Sequence, residues 1–116
     1  MARCVVEATA RAPAPRPVVW DVLSDGRCWT DRGRRVVELS EPPFRFGYAL
    51  STRLPLRDYH AVVTLTEAGP SASNIHWESC FEGSRPVRAL VETTLRQAAE
   101  AVAAEAGRRA GAVSAA

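Results

Sequence analysis

No stretch of this chain approaches the ~20 consecutive apolar residues of a membrane-spanning helix, which argues for a soluble protein. Lysine is absent: all 15 basic residues are arginine, set against 13 acidic ones for a net charge of +2. So small and scattered a surplus makes no polycationic surface for nucleic acid or anionic lipid. Its one local concentration is Arg27, Arg32, Arg34 and Arg35, which suits a solvated loop better than a phosphate site. Cysteine is scarce. Cys4, Cys28 and Cys80 are odd in number, far apart and without C-x-x-C spacing, which argues against a disulfide framework and a zinc knuckle. Neither G-x-S-x-G nor G-x-G-x-x-G occurs, the aromatics do not interleave with basic residues, and no His/Cys spacing points to a metal. Neither cofactor nor metal is therefore expected. Met1 to Val6 hold Arg3 and no apolar run of signal-peptide length, so the expected location is cytoplasmic.

What is present is one domain's worth of alternating and periodic segments, 116 residues with 47% apolar content. The chain is organised around its last segment, Arg85 to Ala106. There Val87, Leu90, Val91, Leu95, Ala98, Ala101 and Val102 recur at helical spacing, with Ser84 as N-cap, Pro86 in the first turn and Gly107 as the stop. The expected domain is 1–107, with 108–116 as a flexible tail. Ahead of this helix, Cys4 to Ala10 alternates as a half-buried strand and ends at Ala12-Pro13-Ala14-Pro15. A short helix opens at Pro17 and turns Val18, Val19, Leu23 and Trp20 inward, and a second short turn carries Cys28 and Trp29. Four strands follow: Arg35 to Glu41, Phe44 to Leu54, Arg57 to Thr66 and Asn74 to Phe81, the last two joined by the turn Glu67-Ala68-Gly69-Pro70-Ser71. The reading is an α+β fold in which an antiparallel meander is covered on its apolar face by the long helix.

This order resembles the START-like, or SRPBCC, superfamily of helix-grip folds, in its polyketide cyclase/dehydrase branch. The residues that carry the likeness are Ala12-Pro13 followed by Val19-Trp20-Asp21-Val22-Leu23-Ser24-Asp25 and Trp29; Glu41-Pro42-Pro43-Phe44-Arg45-Phe46-Gly47-Tyr48; Asp58-Tyr59; Val63-Thr64-Leu65-Thr66; and Ile75-His76-Trp77 with Phe81. Members of this family usually carry two further strands before the segment that begins here near Arg34. The resemblance therefore implies a shortened sheet of about five strands, the first pairing with the last, with both edges bare.

The resemblance also implies a cavity between sheet and helix for a hydrophobic or polycyclic molecule, such as a polyketide or lipid. Parity selects the residues that face it: Tyr48, Leu50, Tyr59, Ala61, Val63, Ile75, Trp77, Ser79 and Phe81, joined by Leu90 and Thr94 from the helix. Tyr48 and Tyr59 are the candidate catalytic groups, since a phenol in an apolar pocket can stabilise an enolate or transfer a proton in an aldol cyclisation or dehydration. His60 and His76 fall on the opposite parity, and Asp58 and Arg53 stand near strand ends. Two other functions fit the same residues: a carrier or sensor that only shelters a lipid-like ligand, and a protein-interaction module. The bare edges, with Val5-Val6 and Val36-Val37 ready to pair, lead us to expect a homodimer.

Overall fold

The computed structural model describes residues 2–25, 34–38, 45–50 and 56–115, and at 2, 25, 34–38, 46–50 and 112–115 the backbone alone. Seven elements follow in order: β1 (Ala2–Ala12), α1 (Arg16–Asp25), β2 (Arg34–Glu38), β3 (Arg45–Leu50), β4 (Arg57–Gly69), β5 (Ala72–Gly83) and α2 (Arg85–Ala115). The expected turn at Cys28 and Trp29 lies outside the described residues, as do Phe44 and the far end of its strand, including Arg53.

The strands form one antiparallel sheet in the order β1-β5-β4-β3-β2, so that the first strand pairs with the last. β1 and β5 share an unbroken register from Ala2↔Gly83 to Ala12↔Ser73. Alternation explains the faces: Cys4, Val6, Ala8 and Ala12 are buried along β1, opposite Phe81, Ser79, Trp77 and Ser73 of β5. Two-residue hairpin geometry joins β4 to β5, with Gly69 facing Ala72 across Pro70 and Ser71. Gly69 takes a φ of 153°, a conformation that glycine adopts without strain.

β4 carries one extra residue between Arg57↔Glu82 and His60↔Cys80. The bulge falls at Asp58, whose φ of 54° lies in the left-handed region that Asp tolerates better than most residues. By absorbing the extra residue there, the strand keeps Tyr59 on the inner face, where its ring stacks on Phe81 at 5.9 Å between centroids.

The first helical hydrogen bond of α2 runs from the Arg88 amide to the Ser84 carbonyl at 2.9 Å. Contrary to the expected stop at Gly107, α2 continues to Ala115, so that 108–115 is helical. The glycine serves a close approach: a Cβ at Gly107 would stand 2.9 Å from Pro13 Cγ. Two members of the expected stripe also move. Leu90 is exposed and Ala101 half-buried, while Ala99, Ala103 and Ala106 join Val87, Val91, Leu95, Ala98 and Val102 in the core. At about 100° per residue Leu90 lies well round the helix from Leu95, Val102 and Ala106, which define the buried line.

With 31 residues, α2 is about 46 Å long at ~1.5 Å per residue and runs the length of a molecule measuring 51 × 24 × 23 Å. It lies chiefly over β1 and against α1, with less contact to β5. Trp77, Phe81, Leu23, Leu65, Ile75, Val19, Val22, Val63 and Val102 are fully buried between these layers. Each such large apolar side chain contributes about 1.5–3 kcal/mol relative to leaving it in water.

Candidate functional site

The inner face of the sheet is laid out in cross-strand rows. In one, Val6 stands opposite Ser79, Ser79 opposite Ala61, and Ala61 opposite Tyr48. In the next, Ala8, Trp77, Val63 and Phe46 follow one another across β1, β5, β4 and β3. Tyr59, Ala61, Val63, Ile75, Trp77, Ser79 and Phe81, each assigned to this face by parity, are all buried and so brought together. Tyr48 and Leu50 lie on β3, and their side chains are outside the described residues. From the helix, exposed Leu90 is withdrawn from the group, while half-buried Thr94 turns its hydroxyl to the Leu90 carbonyl of its own helix at 2.8 Å.

Two buried serines on β5 behave differently. Ser73 donates to the Ala14 carbonyl at 2.7 Å, tying β5 to the segment before α1. Ser79 Oγ, also fully buried, has no hydrogen-bond partner among the described residues. Burying a hydroxyl without a partner costs about 1–3 kcal/mol, so its place in an apolar row is a feature to be explained. Ser73 escaped the sequence reading because its use depends on a backbone carbonyl brought close only by folding.

The two histidines face outward, as their parity requires. His60 is exposed, across the strand pair from Cys80; His76 is half-buried, with Nε2 3.3 Å from Glu7 Oε1. Glu78 stands opposite Glu7 in the register, and one donor atom from each of Glu7, His76 and Glu78 lies within 4.8 Å of the others. No local spacing announces this trio, because Glu7 comes from the other end of the chain. Asp58 is exposed at its bulge. Arg27 and Arg32 lie outside the described residues, and of Arg34 and Arg35 only the backbone in β2 is described.

On the helical side, Glu105 accepts from Arg108 Nε at 3.1 Å and from Arg109 Nε at 3.2 Å. The Arg108 hydrogen bond, followed by that of Arg109, holds its carboxyl below the usual carboxylate range. Among the described residues, no helix is long and apolar enough to cross a membrane.

No protein-family model matches the chain, and no curated protein matches it either. Solved structures do. An uncharacterized protein from Bacillus thuringiensis is similar over 86% of this chain and 96% of its own, at 13% identity and a TM-score of 0.72. The Zhui aromatase/cyclase from Streptomyces sp. R1128 covers 93% of this chain and 96% of its own, at 15% identity and a TM-score of 0.63. The di-domain aromatase/cyclase StfQ of the steffimycin biosynthetic pathway matches 90% of this chain with 45% of its own length, at 18% identity and a TM-score of 0.67. These likenesses are of fold. The chain shares the α+β fold of these aromatase/cyclases, an antiparallel sheet packed against a long C-terminal helix.

Proposed function

We propose that this chain binds a hydrophobic, polyketide-type molecule between the inner face of its sheet and α2, in the cytoplasm, and acts on it as a cyclase or dehydratase. The observation that carries the reading is Ser79. A buried hydroxyl without a partner among the described residues, set among Val6, Ala61, Trp77 and Phe81, is a polar handle for an otherwise apolar ligand, such as one bearing a carbonyl. The fold shared with aromatase/cyclases supports the same class of ligand.

In this reading the Ser79 hydroxyl donates to one carbonyl oxygen of a polyketone and fixes its register. The Tyr59 phenol, on the same face, donates to the oxygen at which negative charge develops as an enolate carbon attacks a second carbonyl. That step forms one C–C bond and turns the attacked carbonyl into an alkoxide, which takes up the proton lost from carbon. Loss of water then completes the dehydration. Tyr48, in the Ser79 row on β3, is the second candidate donor. Leu90 has no part in this proposal, and Thr94 stands at its margin.

Incubation with an aromatic polyketone, followed by product analysis, tests catalysis. Tyr59→Phe is expected to reduce turnover by about 10²–10⁴, the usual share of a general acid or oxyanion donor. Equal turnover in the variant and the wild type removes Tyr59 from the mechanism. One observation favours a non-catalytic carrier as the second reading: among the described residues no carboxylate or imidazole is buried, so none is at hand on the inner face as a base. Binding of the polyketone without conversion by the wild type decides for the carrier.

A further inference from the structure

The outward face of the sheet carries a second arrangement, away from the inner face. We infer that Glu7, His76 and Glu78 form a binding site for a first-row divalent cation, with Zn2+ as the ion best matched to it. His76 and Glu78 are two apart on β5 and so share a face, and Glu7 of β1 is the cross-strand partner of Glu78. One imidazole nitrogen and two carboxylate oxygens already lie within 4.8 Å of one another. Donors on a single tetrahedral ion stand about 3.4 Å apart, given metal–ligand distances of ~2.0–2.2 Å. The His76–Glu7 pair, at 3.3 Å, has that spacing now. Glu78 needs only a side-chain rotation, open to a residue that solvent reaches.

Two features separate this trio from an ordinary surface ion pair. The first is the direct opposition of Glu7 and Glu78, since like charges facing each other across a strand pair are destabilising. Among the described residues the one basic side chain within ion-pair distance of either carboxylate is His76, which reaches Glu7. A divalent ion between the carboxylates converts the repulsion into attraction. The second is rigidity: the three Cα positions lie inside the unbroken β1–β5 register, so the donors are held without the order that a loop would have to acquire. The donor set of one nitrogen and two oxygens suits zinc and its neighbours in the first transition row rather than calcium, which takes six to eight oxygens. Three protein ligands leave a position for water.

Titration of the full chain with Zn2+ by calorimetry at neutral pH tests the site. The expected result is one ion per chain, with binding weakened at least about tenfold by each of His76→Ala, Glu7→Gln and Glu78→Gln, because even changes behind a metal's ligands cost 10–100-fold. His60→Ala, on the same face but outside the trio, leaves affinity unchanged. Zn2+ also raises the melting temperature of the wild type and not of His76→Ala. All four positions are exposed or half-buried, so the variants retain the fold, which circular dichroism verifies. Absence of zinc binding overturns the inference. So does binding that survives His76→Ala, or binding abolished by Cys80→Ser, which would assign the metal to the thiol.

Discussion

Ser79 and Trp77 are neighbours on one face of β5 and have opposite expected responses to truncation. Trp77 is fully buried, and Trp77→Ala is expected to cost about 3–5 kcal/mol in denaturant unfolding, because a cavity replaces the ring. Ser79→Ala removes a hydroxyl that has no partner among the described residues, so stability is expected to hold or to rise by up to about 1–3 kcal/mol. A loss of stability on Ser79→Ala would mean that the hydroxyl is satisfied within the folded chain. Period-two alternation made the buried residues of β4 and β5 legible in the sequence, from Tyr59 to Phe81, because a strand with one face covered leaves no freedom in parity. The Asp58 bulge was not legible, since nothing in the residues around it announces an extra position, yet Tyr59 keeps its face because the insertion falls just before it. The outward trio was hidden for another reason: its members come together only through the pairing of the first and last strands.

At the scale of elements, α2 shows where local signals mislead. Gly107 reads as a C-cap, and a glycine does cost a helix interior roughly 0.5–1 kcal/mol relative to alanine. The close approach of Pro13 supplies the reason for a glycine there. Gly107→Ala is therefore expected to lower the melting temperature, because the proline ring or the helix must move. Gly111→Ala, whose added Cβ meets nothing within 4 Å, is expected to stabilise by about 0.5–1 kcal/mol. Equal effects of the two substitutions would remove the packing explanation. The arginine grip on Glu105 gives the same helix an acid limit. A carboxyl whose pKa is lowered by folding contributes stability above its unfolded pKa, and that contribution is lost as pH falls through the folded value. Helicity by circular dichroism is thus expected to fall below the ordinary carboxylate range, and less steeply in Glu105→Gln. Helix existence and starting point were legible from the Ser84-Arg85-Pro86 cap and the apolar period; its length was not, because the deciding contact lies with Pro13.

At the scale of the molecule, β1 and β2 form the two edges of the sheet among the described residues, and within that set each leaves one side of its backbone without a strand partner. The inner face of β1 is covered by α2, and Val5 on its outer face is exposed. We propose that the chain pairs with a second copy through one of these edges. Light scattering at micromolar concentration is expected to give a dimer, and a monomer of 12.6 kDa would show that the edges are protected within one chain. The order of elements was legible at this scale, because each alternating segment needs neighbours and the long helix needs an apolar face. What the edges meet was not, since backbone donors carry no sequence signature. The central claim is that the inner face receives an apolar ligand anchored at Ser79. The most direct test is equilibrium binding of a fluorescent polycyclic ketone to the wild type and to Ser79→Ala, with the stability of both proteins measured alongside. The account predicts roughly micromolar binding by the wild type, about tenfold or more weaker in the variant, whose stability is equal or higher. No binding by the wild type, or equal affinity in the two proteins, would contradict it.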